Sequence, residues 1–450
     1  MRPSVPQDLN RQCPVWLFQS GIFSSPPPSS TSIANSHGVR KTEQSLSSTA
    51  DMPEITAATD RPRFTLAPHG PAARLMLAVL TSAGIFYANL SPVIVSGLIG
   101  YLGFSNDDAG FVMAANTYGA AVGTLLAIAL IKRAPWRPTA AFLLVTLIIL
   151  DLMTIGVTSP AALIGMRFLH GFTGGATMGL GFSVIARMQH PERTFGFVIL
   201  VQLGVGGAAI AWLTPLLPSL GPTVVWSALA IFSGLALLTL PFLDRYPISG
   251  STNARGRATR RAPLLVVLTA MAAIFLFQSG QMSVFTYVIE LGQHDGLELG
   301  FVSLTVGGSF WAGIPGALLV IWWSTRSGRL RPIAFGIGLT MFAITIFLGG
   351  NRVSFIAANV CFGLAFAITI PYLLGLASAL DTSGQMSALG GFLSTLGLAS
   401  GPVLGALLTR ENGFDTLIYA ALMLLTLSVF VSSYPARYLD AQRKTHYADR

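Results

Sequence analysis

The chain has 450 residues, 52% of them hydrophobic and only 10% charged, with a mean hydropathy of +0.65. A soluble domain carries about 25% charged residues, so this composition excludes an ordinary water-solvated globule and fits a protein whose outer surface faces lipid. The formal net charge of +9 does not point to nucleic acid, because the basic residues fall in short stretches between apolar runs.

Residues 1–70 are rich in Ser, Pro and Thr, include Pro26-Pro27-Pro28 and show no sustained apolar period. They read as a disordered N-terminal tail. Their acid-poor, Ser-rich start leaves an organellar transit peptide open, as Met52 leaves open a later start. Of the two cysteines, Cys13 lies in this tail and Cys361 in an apolar run, so neither a disulfide framework nor a metal site is expected.

From Arg74 onward, apolar runs long enough to cross a bilayer, about 20 residues each, follow one another. Spans 1 to 6 are predicted at about 75–100, 109–131, 139–157, 161–186, 196–217 and 222–243. Spans 7 to 12 are predicted at about 264–290, 300–323, 332–349, 353–380, 385–409 and 416–434. The expected fold is therefore an all-α membrane protein of about twelve transmembrane helices.

The charges orient them. One set of connections holds Lys132, Arg133 and Arg137, then Arg187 and Arg193, then Arg245, Arg255, Arg257, Arg260 and Arg261, then Arg326, Arg329 and Arg331. The opposite set holds only Arg352 and Arg410, with the acids Asp107 and Asp108. Lysine and arginine concentrate in cytoplasmic loops, so both termini are expected inside, in a plasma membrane or, in a bacterium, the inner membrane.

A repeat runs through the pattern. Lys132, Arg137 and Pro138 after span 2 recur at the same interval as Arg326, Arg331 and Pro332 after span 8. The expected organisation is a bundle of six spans at 72–243, a cytoplasmic linker at 244–262, a second bundle at 263–435 and a cytoplasmic tail at 436–450. Parallel repeats of this kind place a binding site between the halves near mid-membrane.

Three local patterns accompany that layout. Arg326-Ser-Gly328-Arg329-Leu-Arg331 is a basic turn between spans 8 and 9, with Thr325 ahead of it. Arg167-Phe-Leu-His170-Gly171-Phe-Thr-Gly174-Gly175 lies in span 4. Gly397, Gly401, Pro402 and Gly405 lie in span 11. Together they resemble the major facilitator superfamily over about residues 72–435. The first is similar to that family's basic loop motif, with Thr325 in the place of its acid. The second is similar to its Arg-x-x-Gln-Gly pattern, with His170 for Gln. The third is similar to the Gly-Pro motif of its antiporters, displaced from helix 5. The resemblance implies two pseudo-symmetric six-helix halves, a gating role for Arg326, Gly328 and Arg329, and a central cavity lined by helices 1, 4, 7 and 10.

Charge within a bilayer costs about 2.5–3.5 kcal/mol at a helix centre, so Asp151, Arg167 and His170 stand out. Counting about 1.5 Å per residue, Asp151 and Arg167 reach similar depth, and His170 shares a face with Arg167. They are candidates for proton coupling, with Arg167 also a candidate to attract a substrate carboxylate. The alternative is a structural ion pair joining spans 3 and 4. Glu290 is expected near the outer end of span 7.

On the helices that the resemblance makes cavity-lining, the candidate substrate contacts are Tyr87 and Asn89, then Gln278, Gln281 and Phe285, then Asn359, Phe366 and Tyr372. Apolar walls with a few amides and phenols suit a small, partly apolar organic molecule. Gly171, Gly175 and Gly179 recur every four residues and are expected to form a close-packing face. The sequence shows no phosphate-binding loop, zinc-ligand cluster or nucleophile motif, so no enzyme, metal or cofactor is expected. The expected function is transport of a small organic solute by alternating access, with protons as the expected coupling ion, membrane lipid around the chain, no nucleic acid and a monomeric state. A non-transporting receptor or scaffold of the same fold is the alternative.

Overall fold

A computed structural model describes residues 66–130, 135–185, 187–188, 191–244, 246, 262–323, 328–380 and 385–448. Residues 1–65 of the predicted tail, most of the basic linker and Arg326 lie outside the described residues; residues 66–70, also read as tail, are instead held to the bundle, where the Leu66 N–H donates to the Phe242 carbonyl (2.9 Å) and the Tyr246 hydroxyl to the Pro68 carbonyl (2.7 Å). The helices are α1 (Pro71–Ala83), α2 (Phe86–Asn89), α3 (Ser91–Leu102), α4 (Asn106–Leu130), α5 (Trp136–Thr154), α6 (Pro160–Ile185), α7 (Pro191–Leu213), α8 (Leu217–Leu220) and α9 (Thr223–Thr239). They continue as α10 (Leu264–Thr286), α11 (Val288–His294), α12 (Leu299–Trp323), α13 (Leu330–Phe347), α14 (Arg352–Ser378) and α15 (Gln385–Ala448).

The predicted spans map onto these helices with four differences. Span 1 is three pieces, α1 to α3. The chain turns at Ile85 and again at Leu90, just ahead of Pro92, which cannot donate to the preceding turn. Span 7 breaks at Tyr287 into α10 and α11. Spans 11 and 12 form the single run α15, interrupted at Gly413, whose φ of 69° lies in the left-handed region that glycine tolerates. The last helix also continues through 436–448, where only a tail was expected.

Nine helices among the described residues are long and apolar enough to cross a membrane. The remaining spans are the broken α1–α3 and the pair α4 and α6. Those two helices carry Asn116, Thr117, Arg167, His170 and many glycines, which lower their hydropathy. They pack closely against each other. A Cβ at Gly171 or Gly175 would strike the carbonyl oxygens of Asn116 or Ala120, and one at Gly119 or Gly123 would strike those of Phe168 or Phe172. Small residues on both helices let the backbones approach, which is how membrane helices gain dispersion energy without a hydrophobic drive. The expected close-packing face is present.

Helices α1–α9 pack among themselves, as do α10–α15. The two groups meet along α4 with the first limb of α15, along α7 with α12, and where α3 meets α10 and α11. Side chains such as Phe142, Trp212, Leu264 and Phe430 stay largely exposed on the periphery, as a lipid-facing surface requires.

At the end of the bundle that carries the basic loops, arginines bond to backbone carbonyls, one at the end of α9 and one in the connection that follows. Arg137 donates to the Leu240 carbonyl (2.9 Å) and Arg187 to that of Tyr246 (3.0 Å). The first is a cation at a carbonyl-rich helix end, which is favourable. The turn before α13 is closed by an acid from far along the chain. Asp440, in the C-terminal extension of α15, accepts from the backbone N–H groups of Arg329 (3.0 and 2.9 Å) and Leu330 (3.4 Å). Replacing Asp440 with alanine is expected to cost about 0.5–2 kcal/mol, the range for lost helix caps, and Asp440→Asn should retain most of that. Thermal unfolding in detergent checks it, and an alanine variant as stable as the parent would refute the capping role.

Candidate functional site

The intramembrane charges converge inside the first group of helices. Arg167 Nη1 on α6 donates to Asp151 Oδ1 on α5 at 2.8 Å, and both side chains are 0% exposed. The expected pairing of spans 3 and 4 is therefore present. Arg167 Nη2 also donates to the Thr154 hydroxyl and, at 3.4 Å, to the Leu150 carbonyl. Its guanidinium carbon lies 4.4 Å from the Trp226 ring centroid on α9 and 5.7 Å from that of Tyr87 on α2. A cation held by aromatic faces in a dry site gains about 2 kcal/mol or more. Carboxylate, hydroxyl and two rings enclose the guanidinium.

His170 Nε2 lies 3.2 Å from the same Asp151 oxygen. Its Nδ1 lies 2.8 Å from Asn116 Nδ2 on α4. An amide nitrogen only donates, so Nδ1 accepts and the proton sits on Nε2, facing Asp151; this tautomer is assigned from the network. Asn116 also donates to the Arg167 carbonyl at 3.1 Å, so one amide holds both residues. Tyr87 tilts over His170, with centroids 5.5 Å apart, and stacks on Trp226. Asp151 Oδ2 and Arg167 Nε accept or donate no hydrogen bond among the described residues.

Further uncharged polar and aromatic side chains are paired within each half. Gln278 on α10 donates to the Ser394 hydroxyl on α15 at 2.7 Å, and Gln281 donates to Gln278 Oε1 at 3.2 Å. Asn89 donates to the Gln202 side chain on α7. Phe285 stacks on Phe362 of α14, centroids 6.2 Å apart, and tilts against Phe310 of α12. Asn359 turns its amide onto the Phe355 carbonyl of its own helix (2.9 Å). Tyr372 is buried beside Pro371.

The candidates thus divide. Tyr87, Asp151, Arg167 and His170 form one network. Gln278 and Gln281 form another, with Phe285 in an aromatic cluster nearby in sequence on the same helix. Gly328 and Arg329 lie in the turn that Asp440 closes. Sequence reasoning missed Asn116, Thr154, Trp226, Gln202 and Ser394. An amide in the middle of span 2 was a usable signal for Asn116. Trp226, Thr154 and Ser394 look like ordinary membrane-helix residues and carry no such signal.

A family model described as Major Facilitator Superfamily matches residues 75–397. No curated protein matches by sequence. Two crystal structures of the nucleoside transporter NupG share the fold. One, of a mutant, has a TM-score of 0.63 at 15% identity, and the other 0.62 at 17%, each over 81% of this chain and 98% of theirs.

Proposed function

The chain belongs to the major facilitator superfamily, a family of multi-pass membrane transporters for small molecules, and from that premise we propose that it moves a small, uncharged organic solute by proton-coupled alternating access. The observation that carries the coupling is the single Asp151 oxygen shared by Arg167 and His170. Histidine is the side chain that ordinarily titrates near neutral pH. A protonated His170 competes with Arg167 for that oxygen. Its second proton also displaces the Asn116 donor from Nδ1. Tyr87 packs on both His170 and Arg167, so the change reaches α2, whose last residue Asn89 bonds to Gln202.

In this reading Arg167 anchors Asp151 rather than touching the solute, since its charge is already matched. The solute contacts are Asn89, Gln202, Gln278, Gln281 and Phe285, with Asn359 and Tyr372 on α14 as further wall residues. Amides and phenyl rings without a free charge favour an uncharged solute with a ring and polar edges. Nucleosides, the substrate class in the name of NupG, have that chemistry and head the test panel. The arginine distribution supports placing the basic end in the cytoplasm of a plasma membrane or bacterial inner membrane. The protein works as a monomer, its site lying between two halves of one chain, with lipid against its apolar periphery.

Flux into proteoliposomes tests the reading, with uridine as the first solute. Uptake is expected to rise several-fold with an inward proton gradient and to fall when an ionophore collapses it. His170→Gln should fold normally and flatten the pH profile. Equal flux with and without the gradient, with an unchanged profile in His170→Gln, would leave facilitated diffusion or another coupling ion. No flux across the panel would favour a receptor of the same fold.

A further inference from the structure

Glu290 is a buried acid that the network around Asp151 does not use. It sits on α11, just past the break at Tyr287, where that short helix of the second half packs on α3 of the first. The residue as a whole is only partly buried, but both carboxylate oxygens are closed off and neither makes a hydrogen bond of normal geometry. Beside the carboxyl lie its own backbone N–H and, from α3, the Ser96 hydroxyl.

Among the described residues, the surrounding groups supply no cation. Tyr287, one turn back, donates to the Asn106 carbonyl at the start of α4 (2.8 Å), and the charges acting on its phenol are Glu290 and Asp107, both acidic. Asp108 on α4 is held by Ser105 (2.8 Å). Helices α10 and α12 carry no charged side chain, and the one titratable side chain of α3 is Tyr101. Farther out, His294 pairs with Asp295 (3.6 Å) on α11, Arg352 of α14 with Glu298 (3.8 Å), and Asp415 of α15 lies near Asp295. The contacts named here join the first half to the second: Tyr287 to Asn106, α11 to α3, and Asn106 to Thr409 (3.2 Å).

A carboxylate in this junction is a buried charge with no cation beside it among the described residues, which is far costlier than the neutral acid. Opening the junction exposes the group to water and removes that cost. We propose that Glu290 is a proton-binding site that locks this end of the transporter: the two halves close over the neutral acid, and they part when it releases its proton to the water on that side. The proposal rests on alternating access as described above, and it adds a proton site separate from His170. By linkage, the ligand that binds one state better shifts the population toward it, so acid favours closure here and alkali favours opening.

The test measures the distance between spin labels on Cys substituted at Gly100 and Gly300, where an added Cβ meets nothing. The full-length protein is used in lipid nanodiscs, with Cys13 and Cys361 replaced. Between acidic and alkaline pH, the separated population is expected to rise several-fold in the parent protein. Glu290→Gln should remain closed at both. Asp107→Asn should keep the parental response. Ser96→Ala, a second variant should Glu290→Gln fail to fold, should change the pH at which the separated population rises, since the hydroxyl lies beside the carboxyl. A parental distance that ignores pH, a Glu290→Gln that still follows it, or a response abolished by Asp107→Asn would overturn the proposal. Labels that never separate, whatever the pH or solute, would overturn alternating access as well. Separation that occurs equally at both pH values would overturn the Glu290 lock alone.

Discussion

Arg167→Ala is expected to abolish transport and to cost roughly 3–5 kcal/mol of stability, the range for removing one partner of a buried ion pair. The substitution leaves Asp151 fully buried with its charge unmatched and removes the cation between Trp226 and Tyr87. Asp151 would keep only His170 as an ionic partner. Thermal unfolding in detergent reads the stability and proteoliposome flux reads the function. A double variant separates the two roles. Asp151→Leu with Arg167→Met has no buried charge left to strand, so it should recover much of the stability while remaining inactive. If the double variant transports like the parent, the pair is structural and the coupling reading of this network fails.

Gly171→Ala is expected to be nearly as damaging, though it adds a single methyl group. That methyl would fall well inside the contact distance of the Asn116 carbonyl oxygen, and the obstacle is backbone, not a side chain that can swing away. Overpacking typically costs about 1–3 kcal/mol and occasionally more. Here the displaced residue is also the amide that holds His170 and the Arg167 carbonyl, so the charge network shifts with it. Gly165, on the same helix, provides the contrast, because a Cβ there meets nothing. Gly165→Ala should be neutral or gain up to about 1 kcal/mol from helix propensity. Comparing the two variants by yield of folded protein and by melting temperature checks the argument. Equal stability would mean that α4 and α6 can part without cost.

The sequence by itself determined the class of the protein. Hydropathy is a sum over neighbouring residues, and a bilayer demands about 20 apolar residues per helix, so the spans could be read directly. The cost of intramembrane charge singled out Asp151, Arg167 and His170, and helix rise brought the first two to the same depth, where they are paired. The four-residue glycine spacing marked the face that α6 turns to α4.

Only the tertiary structure decided the partners. Trp226, Thr154 and Asn116 reach Arg167 or His170 because α5 and α4 pack on α6 and α9 packs on α5, and no local pattern encodes that arrangement. The Asn359 amide bonds to the Phe355 carbonyl of its own helix, a partner that the sequence does not mark. The acid missing ahead of Arg326 has a counterpart at Asp440, over a hundred residues along the chain, which caps the turn at Arg329. The breaks at Leu90 and Tyr287 place Tyr87 over the charge pair and Glu290 at the junction of the halves. Composition and period record which residues a membrane tolerates, whereas hydrogen bonds and ion pairs depend on which helices touch, and in a bundle those are often far apart in sequence.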